Sequence, residues 1–128
     1  MKNFTRVFFT IITFFIILFT ARHYYIQYDM KKTVQSEEAR EAIEEALKNR
    51  DPKAFTEEGI IKSYEIDLNS VKSNPLGGID THIIINNTED LYVNYNLSRD
   101  YSNKLHVGSG SASSKLGQLT KHNYDKEK

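Results

Sequence analysis

The sequence contains no cysteine, no tryptophan and only two prolines in 128 residues. Without cysteine the chain has no disulfide, no thiolate-bound zinc, no thiol nucleophile and no lipid-modified cysteine. It also lacks an excess of either charge, because 17 Lys and Arg balance 17 Asp and Glu, and residues 31–128 hold 14 positive and 16 negative side chains. That net charge of −2 is not the basic surface that nucleic-acid binding requires, so we expect no nucleic-acid partner.

A long apolar run near the N-terminus is the strongest signal in the sequence. Residues 7–21 carry no charge, but as a helix they span only about 22 Å of a hydrocarbon core about 30 Å thick. A helix over residues 4–26 reaches about 34 Å and brings Arg6 and Arg22 to the two membrane surfaces. We therefore predict that residues 4–26 contact membrane lipid and that residues 1–30 form an anchor with its interfacial flank.

A cleavable signal peptide is the alternative, because its apolar core has a similar length. Signal cleavage needs small residues at positions −1 and −3, yet a cut after Ala21 puts Phe19 at −3 and a cut after Thr20 puts Leu18 there. The sequence therefore favours an uncleaved anchor. Basic residues flank both sides of the run, and the short basic N-terminus favours a cytoplasmic start with the domain outside.

We predict that residues 31–120 form one small domain that begins with a helix. Residues 36–49 place apolar side chains at i, i+3, i+4, i+7 and i+8, with glutamates on the remaining faces, which is typical of an amphipathic helix. Asp51 and Pro52 then suit the N-cap and first position of a short helical turn that Gly59 closes.

The period of the apolar pattern falls to two after Ile60, which predicts strands. The predicted strands cover residues 60–67, 79–85, 91–97 and 104–107. We predict an α+β fold in which the amphipathic helix packs on a four-stranded antiparallel sheet, an element order like that of cystatin-like domains. Residues 121–128 are predicted to be a disordered tail.

Three stretches of the chain resemble a known family. They are residues 51–66, residues 73–79 with the run Asn-Pro-Leu-Gly-Gly-Ile, and residues 90–94. These stretches resemble the small Gram-positive proteins grouped as domain of unknown function family 1310, over roughly residues 30–120, and the Asn-Pro-Leu-Gly-Gly-Ile run is the most specific part. The family has an N-terminal hydrophobic segment and no assigned activity, so the resemblance implies an anchor and assigns no functional residue.

One group of polar residues follows from the predicted strand register. If Ile85 lies opposite Leu91 and Leu97 lies opposite Leu105, the outward face of the sheet carries two rows of polar side chains. Asp80, Asn96 and His106 share one row, and His82 lies beside Asn94 in the next. Such a face can bind a metal, a polar ligand or a partner strand, and an ordinary solvated sheet face is the alternative. The predicted binding face therefore consists of Asp80, His82, Asn94, Asn96 and His106.

No motif points to catalysis. The run from Gly108 to Ala112 has neither the context of a nucleophile elbow nor the ending of a phosphate-binding loop. We therefore predict a non-enzymatic protein without a cofactor or a resident metal: a single-pass membrane protein whose extracytoplasmic domain is an interaction module for an unknown protein partner. The alternatives are a small-ligand or metal sensor that uses His82 and His106, and a bacteriocin-immunity-like membrane protein.

Overall fold

The chain folds as an α+β protein with a long N-terminal helix. The computed structural model describes residues 1–126, with side chains described as far as Lys121. These described residues form three α-helices and five strands, with a 3-10 helix (Leu68–Ser70) between the first two strands. In chain order the elements are α1 (Lys2–Val34), α2 (Glu37–Arg50), β1 (Tyr64–Ile66), β2 (Lys72–Ser73), β3 (Ile79–Ile85), β4 (Thr88–Arg99), β5 (Leu105–Ala112) and α3 (Ser114–Lys126). The predictions of an α+β fold, an apolar N-terminal helix and an antiparallel sheet are confirmed.

The sheet is antiparallel, in the order β1-β3-β4-β5, and the two-residue β2 also pairs with β3. A tight turn joins β3 to β4, in which Asn86 and Asn87 have φ values of 54° and 53°. Two successive residues with positive φ are the requirement of a type I′ hairpin turn, and asparagine meets it at low cost. Strands β3, β4 and β5 thus form a meander, and the short strands β1 and β2 both pair with the other edge of β3.

The hydrophobic core lies between the inner face of the sheet and α2. Ala39, Ile43 and Leu47 recur on one face of α2 and are fully buried, as the sequence pattern predicts. Their neighbours on the sheet include Ile83 and Val93, also fully buried. The burial of these two apolar faces against each other, away from water, is the main source of stability for a domain of this size.

A close contact explains one glycine in β5. A Cβ atom at Gly110 would lie 2.4 Å from the ring of Tyr95, which is buried on the inner face of β4. The Gly-Ser-Gly-Ser run is part of strand β5. Within it, Gly110 leaves the space that the Tyr95 ring fills.

Helix α1 is continuous from Lys2 to Val34 and ends inside the domain. Met30 and Val34 are 7% and 1% exposed and belong to the core. Only Gln35 and Ser36 separate α1 from α2, and the Ser36 hydroxyl accepts a hydrogen bond from the Ala39 amide at 3.2 Å. The predicted boundary between residues 30 and 31 thus lies within α1, because the last turn of the helix supplies core residues.

The predicted short helical turn between Asp51 and Gly59 is confirmed only at its start: residues 52–55 form a turn in which the Ala54 amide donates to the Asp51 carbonyl at 2.8 Å, but no helix extends to Gly59. The fully buried Asp51 carboxylate accepts hydrogen bonds from the amides of Lys53, Ile60 and Ile61 at 3.3, 2.8 and 3.0 Å. Phe55 has a φ of 67°, which no right-handed helix allows. Asp51 therefore holds the two ends of a loop together instead of starting a helix.

Helix α3 is an element that the sequence analysis did not predict. The Ser113 hydroxyl accepts a hydrogen bond from the Leu116 amide at 3.4 Å, and Leu116 and Thr120 are buried one helical turn apart. Residues 121–128 were predicted to be a disordered tail, but residues 121–126 belong to α3. Residues 127 and 128 lie outside the described part of the chain.

Candidate functional site

The pairing of β3 with β4 has the predicted register over most of its length. Asp80 lies opposite Asn96, and His82 lies opposite Asn94. Ile85, in contrast, pairs with Thr88 and not with Leu91, because the register shifts between Ile84 and Ile85. That shift is next to the asparagine turn, so it leaves the polar rows intact.

The pairing of β4 with β5 differs from the prediction. Leu97 lies opposite Val107 and not Leu105, and a register shift follows between Asn96 and Leu97. His106 is therefore beside Ser98, one row away from the predicted position, and its partly buried ring has an Nδ1 atom without a hydrogen-bond partner. The structure thus removes His106 from the row of Asp80 and Asn96, because residues 105–107 of β5 pair with β4 two residues away from the predicted register.

Serines occupy the places that the displaced register leaves. Ser109 lies opposite Asn96 and Ser111 opposite Asn94, and both serines are exposed. The sequence analysis missed them because it ended the last predicted strand at residue 107. The alternation of glycine and serine was the available signal, since strands place every second side chain on one face.

Asp80 and Asn96 hold the turn that precedes β3. Asn74 donates from Nδ2 to both Asp80 carboxylate oxygens at 3.1 Å, and Asn96 donates from Nδ2 to Asp80 Oδ1 and to the Gly77 carbonyl, each at 3.0 Å. Gly78 has a φ of 82°, and a Cβ there would lie 2.4 Å from Asn96 Oδ1. The side chains of these two predicted site residues therefore already form hydrogen bonds within the turn that contains the Asn-Pro-Leu-Gly-Gly-Ile run.

His82 and Asn94 form the second row. His82 Nδ1 lies 2.7 Å from Asn94 Oδ1, and the imidazole packs at 4.8 Å between ring centroids from Tyr92. An amide oxygen only accepts hydrogen bonds, so this contact assigns the Nδ1 proton as the donor and fixes the orientation of the ring. A ring positioned in this way presents its other nitrogen, Nε2, in a defined direction.

The outward face forms the floor of an open groove of about 930 Å³. Gln27 of α1, Ser70 before β2 and Lys72 of β2 line one side of it. His82, Asn94, Ser109 and Ser111 are among the lining residues from the other strands. We call this the outer groove. Sequence patterns gave no indication that α1 reaches the sheet face, because Gln27 is separated from these strands by more than forty residues.

The chemistry of the outer groove is that of neutral hydrogen-bonding groups. Amides, hydroxyls and one imidazole line it, together with the charged Lys72 and Asp80. Among the described residues, no three His, Asp or Glu side chains come together as a metal-binding group. Such a surface suits a polar partner held by directional hydrogen bonds.

These elements define a class of protein. Its members have a long apolar helix followed by an α+β domain, with a polar groove beside that helix. The family model described as "Protein of unknown function (DUF1310)" matches residues 5–119, and the chain belongs to this family. The resemblance predicted from the sequence is confirmed. No curated protein and no solved structure gives a significant match, and the cystatin-like element order stays a prediction.

Proposed function

We propose that the protein is a single-pass, membrane-anchored, non-enzymatic interaction module whose domain lies outside the cytoplasm. One observation carries the proposal: α1 is long and apolar enough to cross a membrane, and none of its most apolar 18-residue window is buried by the domain. Large side chains such as Phe9, Phe15 and Phe19 are more than 60% exposed. In water this exposure would cost well over 10 kcal/mol, at about 25 cal/mol for each Å² of apolar surface.

The threonines of α1 support the same assignment. The hydroxyls of Thr10, Thr13 and Thr20 each donate to the carbonyl four residues earlier at 2.8 Å. Their polar groups are thereby satisfied within the helix, which is a requirement in hydrocarbon.

Membrane extraction tests the anchor. We expect the full-length protein to stay with membranes in alkaline carbonate, and the double substitution Ile12→Asp and Phe15→Asp to release it, because each charge at the centre of a bilayer costs several kcal/mol. The matched control is Tyr28→Asp with Lys32→Asp, exposed positions of the same helix beyond residue 26, which should stay bound. Wild-type protein that begins near Arg22 and is recovered in the soluble fraction would contradict the anchor.

The absence of cysteine allows a clean test of orientation. A single Glu41→Cys substitution puts the only thiol of the chain on an exposed position of α2. We expect a membrane-impermeant maleimide to label it on intact cells, whereas Lys2→Cys should be labelled only after lysis. The opposite pattern would put the domain in the cytoplasm.

The outer groove is the surface that we assign to the protein partner. Its position supports this: Gln27 lines the groove and lies six residues after the apolar run, about 9 Å along the helix axis. In an anchored protein this places the groove close to the membrane surface, where it meets other membrane-associated proteins.

Crosslinking tests the groove. A photoreactive residue in place of Ser111 should crosslink a specific partner in cells, and one in place of Glu41 on α2 should not. Substituting both His82 and Asn94 by alanine should abolish the Ser111 crosslink, and the purified partner should bind the wild-type protein and not this variant. Asp80 is unsuitable for this test because it also supports the turn. Equal crosslinking from both positions would contradict the assignment.

A further inference from the structure

A second pocket lies between α2 and α3, on the inner side of the sheet. It has a volume of about 440 Å³, and its lining contains Asn49, Arg50, Tyr95, Gly117, Thr120 and Lys121. We call it the interhelical pocket. Tyr95 lines both this pocket and the outer groove, but the two share no other lining residue, and the remaining residues of the interhelical pocket lie on α2 and α3.

The charges of the interhelical pocket are all of one sign. Arg50 and Lys121 contribute two cations, and no carboxylate is among the lining residues that the structure describes. Two other arginines differ in this respect: Arg40 pairs with Glu37 and Glu44, and Arg99 pairs with Glu38.

The guanidinium of Arg50 has a buried donor without an acceptor. Its Nε atom is buried, and no residue in the described part of the chain accepts a hydrogen bond from it. A buried N–H that has lost water and gained no acceptor is costly, and rare in folded proteins. The position of Arg50 in the last turn of α2 favours a cation, but the helix dipole does not require Nε to be buried. An anion in the pocket that Arg50 lines would satisfy this donor once the guanidinium turns its Nε toward the pocket.

We propose that the interhelical pocket binds a phosphate group, held by Arg50 and Lys121. A guanidinium matches phosphate oxygens with two parallel N–H donors. A phosphate monoester carries nearly two negative charges at neutral pH, which two cations without a carboxylate complement. The phosphate comes from a free anion or from a lipid headgroup, and the experiment distinguishes these sources.

Nuclear magnetic resonance of arginine side chains tests the proposal directly. The chain has five arginines, so the Nε–H signals of the full-length, ¹⁵N-labelled protein in a phosphate-free maltoside detergent are few, and Arg50→Lys identifies the signal of Arg50. Titration with inorganic phosphate at constant ionic strength should shift the Arg50 signal saturably and leave those of Arg40 and Arg99 in place. Equal shifts of all arginines, or no shift, would overturn the proposal.

Four variants of the full chain make the test specific. Lys121→Gln should weaken phosphate binding at least about tenfold, because a charge-assisted contact is lost, and Lys48→Gln, on the exposed face of α2, should not. Gly117→Leu should abolish binding, because nothing lies within 4 Å of a Cβ at Gly117 and the new side chain fills the pocket without a clash. Asp125→Asn with Glu127→Gln controls for carboxylates of the chain itself; binding by this variant alone would overturn the proposal.

A comparison of two media identifies the source of the phosphate. If the Arg50 signal in phospholipid nanodiscs already has its phosphate-saturated position, the ligand is a lipid headgroup. If it moves there only when inorganic phosphate is added, the ligand is a free anion. A signal that reaches this position in neither case overturns the proposal. The anchor and the outer groove are tested by other variants, so each proposal can fail alone.

Discussion

Asn86 joins three segments at the end of the sheet where β3 turns into β4. Its Oδ1 accepts from the amides of Lys62 and Ser63 at 2.8 and 3.2 Å, and its Nδ2 donates to the Ile60 carbonyl at 2.7 Å. The backbone at Asn86 has a positive φ as well. One side chain thus sets both the turn and the approach of the loop before β1.

Two glycine substitutions separate these roles. Asn86→Gly keeps the positive φ but loses three hydrogen bonds, so we expect a loss of about 2–4 kcal/mol in the free energy of unfolding. Asn87→Gly changes only the second turn position and should be neutral or slightly stabilising, because Asn-Gly is the preferred type I′ pair. Urea unfolding of the domain measures both values. Equal stabilities would show that the side-chain bonds of Asn86 contribute nothing.

A second pair of substitutions tests the turn before β3. Gly77 and Gly78 have φ values of 114° and 82°, but a Cβ at Gly77 meets open space, whereas one at Gly78 also lies 2.8 Å from the Leu97 carbonyl oxygen. Both alanine substitutions incur backbone strain of about 1–3 kcal/mol. Gly78→Ala should cost measurably more in thermal unfolding, since it also displaces Asn96. If Gly77→Ala is the more destabilising, the packing of Asn96 against Gly78 is not important.

At the scale of elements, the sequence predicted the parts that follow from periodicity and missed those that follow from tertiary contacts. Ile43 and Leu47 identify α2 by spacing alone, and the isoleucines of β3 identify a strand. Nothing local indicates the pairing of β5 that moves His106 from Asn96 to Ser98, because a register difference of two residues leaves the same side chains on the same face of the sheet. Helix α3 was missed because its burial depends on tertiary contacts: Leu116 and Thr120 meet β4 and α2.

The contact between α2 and β5 predicts a pH dependence. Glu38 accepts from the Leu105 amide at 2.7 Å and from Arg99 at 3.2 Å, and these bonds, the Leu105 amide first, lower its pKa from the ordinary 4.5. A carboxyl whose pKa is lower in the folded state stabilises the fold above the unfolded-state pKa. This contribution is lost as the pH falls through the folded-state value.

Thermal unfolding between about pH 6 and about pH 3 checks this dependence. Glu38→Gln should lower the melting temperature at pH 6 and converge with the wild type at the acidic end. Glu41→Gln, an exposed position of the same helix, should follow the wild type throughout. A constant difference between Glu38→Gln and the wild type at every pH would exclude a role for the charge.

At the scale of the whole molecule, α1 is both the apolar segment and a part of the domain core. Met30 and Val34 are buried, so the domain does not end where the apolar run ends. A fragment of residues 31–128 lacks Met30 and leaves a gap in the core, at a cost of about 2–4 kcal/mol by analogy with large-to-small core substitutions.

Two fragments measure that contribution. We expect residues 27–128 to be folded and to unfold at higher urea concentration than residues 31–128. Met30→Ala in the longer fragment should account for most of the difference. If the two fragments are equally stable, the last turns of α1 only lie on the domain and do not support it.

The uninterrupted path of α1 into the core has a geometric consequence for the proposed anchored protein. A domain on a flexible tether explores a hemisphere above its attachment point, whereas a domain fused to a stiff rod keeps one height and tilts only as the rod tilts. The outer groove would then scan a thin layer parallel to the bilayer, so encounters take place in two dimensions. Partners would be selected by their elevation above the lipid before any side chain makes contact.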